Sequence, residues 1–377
     1  MPAFNGSLKQ NEIFGALSNM IISQQVFADN IKGTKETLAN MSRVDGSLYG
    51  DTKLYYSTDV LGSIEWTNDA EAQNLLKLHR PEAPEVQAIT IDQFRMIPLT
   101  VDNYLSKRAF STEGTFSEFN SVMLGWIRDT KKVYDSTLFN SFVGTAGFEA
   151  TGKQKVNIAI PAEPDNVDDY NTEAYNRIVA QTIAKGFADL IVDLEDVSRD
   201  YNDYGNLRSY NADDFVYVWN AEWVNKITKM DVPTIFHKEG LVDKFAQHTL
   251  PARYFGNVNT NSGTTGGSNI TVRSLIEKDY NEVAPDEAGY DASKHIFPGD
   301  LLPDNTAYEA YETYGEDPTI IAKVYHKRSI PFMTAFETGT SFFNPRSLTE
   351  THYLIWGYNE LEYLKNYPFI TVKAQQA

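Results

Sequence analysis

A chain of 377 residues that is 42% hydrophobic, 13% aromatic and 22% charged carries enough apolar material for one large core or two moderate ones. Zero cysteines exclude disulfide staples, thiolate metal sites and a cysteine nucleophile. The formal charge of −18 is concentrated in residues 161–215 (13 acidic, 4 basic) and 277–317 (12 acidic, 2 basic), and such fields repel phosphate backbones, which argues against gripping nucleic acid directly.

The opening stretch MPAFNGSLKQNEIFGALSN lacks a basic segment followed by an uninterrupted apolar one, and no run of 18 apolar residues occurs, so neither a signal peptide nor a membrane span is expected. Ser7 and Gln10 can cap a first helix to about Asn30, with Ile13, Leu17 and Met20 on its apolar stripe. TKLYYSTDVL and VQAITIDQFRMIPLTV are rich in β-formers and predict two strands, with Pro98 marking an edge or a strand end. Between them runs GSIEWTNDAEAQNLLKLHRPEAPE, longer than ordinary connections and therefore a functional excursion or a docking arm.

A long helix follows, TFSEFNSVMLGWIRDTKKVYDSTLFNSFVG. Thr115 and Glu118 form a capping-box pattern, and Gly144 reads as the left-handed stop. Phe119, Met123, Trp126, Tyr134 and Leu138 recur at helical spacing and predict a buried face on a rod of about 42 Å. On that reading Trp126→Asp prevents folding or assembly, whereas Lys131→Ala is mild. Farther on, KQKVNIAIP is a short strand and residues 172–198 a second amphipathic helix, in which Gly186 allows close packing. DDFVYVWNAEWVNKI is a strand that bends into a helix near Asn220, GNVNTNSGTTGGSN a flexible surface loop, and residues 277–317 irregular. TIIAKVYHKRSIPFMTAF restores buried strand, and the aromatic end THYLIWGYNELEYLKNYPFITVKA returns to a sheet.

Chemistry-bearing patterns are sparse. GTTGGSN lacks the lysine of a phosphate-binding loop, and the six histidines never take a short metal-ligand spacing. DYNDYGN imitates the start of a calcium loop, but Tyr204 stands where an oxygen ligand belongs and Asn211 replaces the closing glutamate, so it reads as a turn. No Gly-x-Ser-x-Gly elbow is present, and acid pairs such as Glu195/Asp196 are adjacent in sequence without implying a catalytic separation. No catalytic, cofactor or metal residue is assigned.

The order of parts is the informative feature. A terminal helical arm, a strand, a long polar excursion, a returning strand, one long helix, a mixed region with a second long helix and a final aromatic strand together resemble the major capsid protein of tailed bacteriophages, the Hong Kong 97-type α+β fold. The resemblance rests on segment order over nearly the whole chain. It implies an N-terminal arm at 1–44, a peripheral-domain strand and extended loop at 45–109, a spine helix at 110–149, an axial domain at 150–330 and peripheral-domain return strands at 331–377.

It further implies a structural, non-enzymatic protein that assembles with itself as pentamers and hexamers into an icosahedral or prolate head shell. The shell would form in the host cytoplasm with a separate scaffolding protein, a portal and in some cases decoration proteins, and would enclose DNA without specific binding. Ile13, Leu17 and Met20 of the arm and Trp66, Leu75, Leu76 and Leu78 of the excursion are the side chains expected to bury on neighbours. Some members link a loop lysine to a peripheral-domain asparagine; Lys77 and Asn344 fall in the corresponding segments, but no matching motif surrounds them and no linkage is expected. An encapsulin-type shell is the related alternative. A carbohydrate-binding or carbohydrate-active protein, suggested by 22 Tyr and 5 Trp, is the alternative from a different class.

Overall fold

Period-two strands and two long apolar-striped helices sort the chain into two units, seen in a computed structural model that describes residues 37–46, 52–63, 78, 80–102, 113–147, 154–162, 169–228, 248–259 and 313–376. Ile13, Leu17, Met20, Trp66, Leu75 and Leu76 lie outside the described residues, as do Lys77 and most of the Gly/Thr/Ser loop.

The first unit comprises Met1–Asp51, Thr90–Thr137 and Phe332–Glu360. A short helix α1 (Thr37–Met41) leads into β1 (Arg43–Asp45), which runs parallel to the start of β10 (Phe332–Asn344) with Arg43 opposite Phe332. β10 turns at Pro345–Leu348 into β11 (Thr349–Asn359), and β11 pairs antiparallel with β3 (Glu85–Asp102) from Thr349↔Asp102 to Asn359↔Ile91. The sheet order is β1-β10-β11-β3-β2, where β2 is Thr52–Ser57. Pro98 sits inside β3 opposite Tyr353, not at its end. β2 has 6 residues against the 18 of β3, so most of that side of β3 is an edge, where a proline costs no ladder bond.

The long helix α2 (Glu113–Thr145) has 33 residues, a rod of about 50 Å, and its residues up to Thr137 belong to this first unit. Met123, Ile127 and Tyr134 are buried, and the Tyr134 ring meets Trp356 and Tyr358 of β11 edge-on at 5.6 and 5.7 Å. Its hydroxyl also hydrogen-bonds that of Tyr358. Trp126 does not join this face: it is 46% exposed, standing about 60° around the helix from Met123 and about 80° from Tyr134, at the margin of the buried stripe. The side chain of Phe119 lies outside the described ones, and Leu138 is half-buried.

Both expected end signals of α2 are displaced. The helix starts at Glu113, which places Thr115 inside its first turn, and it runs through Gly144. The left-handed residue that stops it is Gly147, at φ 66°. Gly144 serves packing instead: a Cβ there would stand 1.9 Å from the Tyr254 carbonyl oxygen.

The second unit comprises Thr52–Ile89, Leu138–Pro331 and Leu361–Ala377. Its sheet has the order β4-β12-β9-β5-β6, built from Lys155–Ile160, Phe369–Gln376, Ile320–His326, Phe215–Asn220 and Thr249–Leu250 respectively. The final strand β12 lies between β4 and β9, so residues 369–376 belong with this sheet and not with the strands of 331–359. β5 and β9 are buried along their whole length, which explains why both read as continuous β-prone runs without alternation.

Helix α3 (Asp169–Glu195) lays Val179, Ile183, Phe187, Leu190 and Leu194 on the sheet, at the 3.6-residue spacing the sequence carries. Gly186 lets it approach, since a Cβ would meet the Ile158 side chain at 2.7 Å. β5 passes directly into α4 (Ala221–Thr228), where Asn220 Oδ1 accepts the Glu222 N–H at 3.0 Å and so starts the helix. The loop expected at 256–269 opens as a strand, β7 (Gly256–Asn259), paired antiparallel with β8 (Thr313–Glu316) inside the segment expected to be irregular.

One charge is taken into this core. Lys323, in the middle of β9, is fully buried and donates to the Ala146 carbonyl and to Thr371 Oγ, both at 2.8 Å. Burial pushes its pKa down to about 7. The Ala146 N–H closes the last turn of α2 on the Phe142 carbonyl at 2.8 Å, so the amine, on the Ala146 carbonyl, sits at a helix C-terminus, the end that favours a positive charge.

Candidate functional site

The histidines that sequence left unassigned are structural where they are described. His326 is buried and stacked on Tyr367 at 4.5 Å, and its Nδ1 accepts the Arg328 N–H at 3.1 Å. Burial lowers its pKa, with Asp214 acting in the opposite sense. His352 stands 3.9 Å from Glu350, two positions along β11 on the same face. Among the described residues no cluster of three His, Asp or Glu side chains could hold a metal ion, and no described helix is long and apolar enough to cross a membrane. The DYNDYGN segment is a turn: Asn202 Oδ1 accepts the Asn206 N–H at 2.8 Å, and Gly205 is left-handed at φ 67°.

What the described surface offers is apolar side chains exposed on strands. In the second unit β2 alternates with Thr52, Leu54 and Tyr56 outward, and Tyr56 is 63% exposed. Val60 and Leu61 continue outward past the strand, Leu78 is 77% exposed, and Val86 is exposed at the start of β3. These residues flank and include the polar excursion. A monomer that left them in water would forgo roughly 1.5–3 kcal/mol of burial for each such side chain.

In the first unit the β10–β11 hairpin carries Phe342, Phe343 and Leu348 into solvent at its tip, and Phe342 is 66% exposed. Leu348 adopts φ 55°, a left-handed conformation unusual for a branched side chain. The turn is closed by the Arg346 N–H donating to Asn344 Oδ1 at 3.0 Å. These hairpin residues are not among the contact candidates drawn from the sequence. Their signal was the pair Phe342–Phe343 directly before an Asn-Pro turn, an apolar pair where a hairpin end is usually polar.

The outward Trp126 and the inward Lys131 of α2 reverse their expected roles. Lys131 is only 8% exposed; its ammonium lies 3.4 Å from Asp135, 3.0 Å from Glu337 and over the Trp356 ring. Arg43 adds a second contact to Asp135 at 2.8 Å. Desolvation nevertheless raises the Asp135 pKa, because the carboxylate is almost completely buried, with the two cations acting in the opposite sense. The sequence marked Lys131 as solvent-facing by its charge alone, and only the neighbouring hairpin supplies the partners.

The sequence model of the family described as "Phi29-like phage major capsid protein" matches residues 5–360. No curated protein sequence matches significantly. Among solved structures, the capsid of Staphylococcus phage Andhra matches with a TM-score of 0.62 at 12% identity, over 94% of this chain and 87% of that one. A chain from the structure titled "Structure of head fiber and inner core protein gp22 of native bacteriophage P68" matches with a TM-score of 0.61 at 12% identity, over 100% and 89%. At that identity the structural likeness speaks for the fold, in agreement with the capsid fold class expected from the order of parts. The assignment of family rests on the sequence match across residues 5–360, and on that ground the chain belongs to the Phi29-like phage major capsid protein family.

Proposed function

We propose that the protein is the repeating subunit of a tailed-phage head shell, contributing the same arm, excursion and hairpin to each pentamer and hexamer. The observation that carries this reading is the family match over residues 5–360. The first unit corresponds in this account to the peripheral domain with α2 as its spine, and the second to the axial domain.

Shell subunits need surfaces that one copy cannot cover, and Leu54, Tyr56, Val60, Leu61, Leu78 and Val86 meet that description around the excursion. Trp126 and the hairpin's Phe342 and Phe343 are further contact candidates. The excess of acid suits a container that holds DNA without gripping it. Assembly takes place in the host cytoplasm around a separately encoded scaffold, with a portal at one vertex, and the finished protein resides in the virion. The subunit works by packing, and no catalytic step is assigned to it.

Expression of the chain alone and together with the scaffold from the same phage tests the proposal by negative-stain microscopy and light scattering. Closed particles of uniform diameter, or rings of five and six subunits, are the expected products. A species that stays at 42.5 kDa under every assembly condition would overturn the assignment.

A further inference from the structure

The excursion leaves the second unit at the end of β2, and its root there is held by a segment about 140 residues away in sequence. Ser57 Oγ accepts from Asn206 Nδ2 at 2.7 Å and donates to Asn366 Oδ1 at 2.5 Å. The Thr58 carbonyl accepts from the Arg208 guanidinium. Asp59 accepts twice from that segment, the Leu207 N–H at 2.8 Å on Oδ1 and Arg199 at 2.5 Å on Oδ2, and once from its own neighbour, the Val60 N–H at 2.8 Å on Oδ1. Three consecutive residues, Ser57 to Asp59, are therefore each bonded to residues 199–208.

That segment is built before it meets the excursion. Ser198 and Arg208 exchange backbone hydrogen bonds at 2.9 Å, and the Asn202 amide closes both the N–H and the carbonyl of Asn206, at 2.8 and 2.7 Å. The Asp203 N–H also donates to the Lys365 carbonyl at 2.8 Å. Arg199 and Arg208 also donate to the segment's own carbonyls, Gly205 at 2.9 Å and Leu207 at 3.1 Å, so each guanidinium bridges the segment and the root of the excursion, while Asn206 Nδ2 and the Leu207 N–H reach the root directly. The returning root is tied to the same neighbourhood, since Gln87 donates to the Tyr363 carbonyl at 3.1 Å and accepts the Lys365 N–H at 3.0 Å.

These bonds fall at and beyond the last residue of β2, so they do little to hold that strand in its sheet. They determine instead the direction in which residue 60 and those after it depart. We propose that Arg199, Asn206 and Arg208 are positioning residues for assembly, clasping Ser57–Asp59 so that the excursion is presented to a second copy of the chain from one fixed direction. The inference rests on the shell-subunit reading given above. The Asp59 carboxyl is held down to about 2, chiefly by the Leu207 N–H and Arg199.

The test compares Arg199→Ala/Arg208→Ala with the wild type and with Arg199→Lys. Hydrogen exchange is followed at residues 58–63 of the unassembled subunit, thermal unfolding by circular dichroism, and particle diameter by electron microscopy. The double variant should exchange about tenfold faster at 58–63 with an unchanged unfolding midpoint, and should give fewer or heterogeneous particles, while Arg199→Lys retains most of the wild-type behaviour. Unchanged exchange, or faster exchange with a full yield of uniform particles, would overturn the clasp's role. Should the double variant not fold, Asp59→Asn carries the same readouts. A wild type that forms no particles would instead refute the shell-subunit reading, and the clasp's role with it.

Discussion

Lys131 and Trp126 stand five residues apart on α2, and the burial of each decides what its loss does. Lys131 faces Asp135 and Glu337 beneath Trp356, so removing it leaves a buried carboxylate with only Arg43 beside it. Lys131→Ala should therefore cost about 2–3 kcal/mol, below the full penalty of stripping a buried ion of every partner. Trp126, almost half exposed, should tolerate Asp with at most about 1 kcal/mol lost. Urea unfolding of the unassembled subunit separates the two, and assembly yield then reveals whether Trp126 is a contact between copies. Equal stability of the two variants would refute this placement of the helix faces. Residue identity could not have given this ordering, because a lysine and a tryptophan carry opposite surface expectations and only the partners across the fold reverse them.

Elements were more legible than single residues. The helical stripe of α3 and the strand-to-helix step at Asn220 follow from local spacing, because each is fixed by neighbours within a few residues. The ends of α2 were not legible, since Gly144 sits where a stop belongs but answers to Tyr254, which lies 110 residues on. Gly125 and Gly144, both inside α2, therefore predict opposite outcomes. A Cβ at Gly125 meets nothing within 4 Å, so Gly125→Ala should stabilise by about 0.5–1 kcal/mol through helix propensity. Gly144→Ala should instead destabilise by about 1–3 kcal/mol, because the obstacle is backbone and cannot rotate away. Denaturant midpoints of the two variants moving in the same direction would contradict this account.

At the scale of the whole molecule the order of segments was the readable quantity. The excursion between β2 and β3, the long helix after it and the mixed second unit appear in the order on which the resemblance to capsid proteins rests. The place of the last strand was not readable, because β12 joins β4 through pairing that closes over more than 200 residues. Nor were the hairpin's exposed phenylalanines, which become conspicuous only when β10 and β11 are seen to project them from a tip. The proposed shell gives those surfaces and the excursion one explanation in common, burial by other copies of the chain. A reconstruction by electron cryomicroscopy of the assembled particle, resolved well enough to trace α2 and the excursion, tests this most directly. The account predicts closed shells in which the excursion of each subunit, with Leu54, Tyr56 and Leu78, lies on an adjacent subunit. Shells in which each excursion folds back on its own subunit and leaves the neighbour untouched would contradict it.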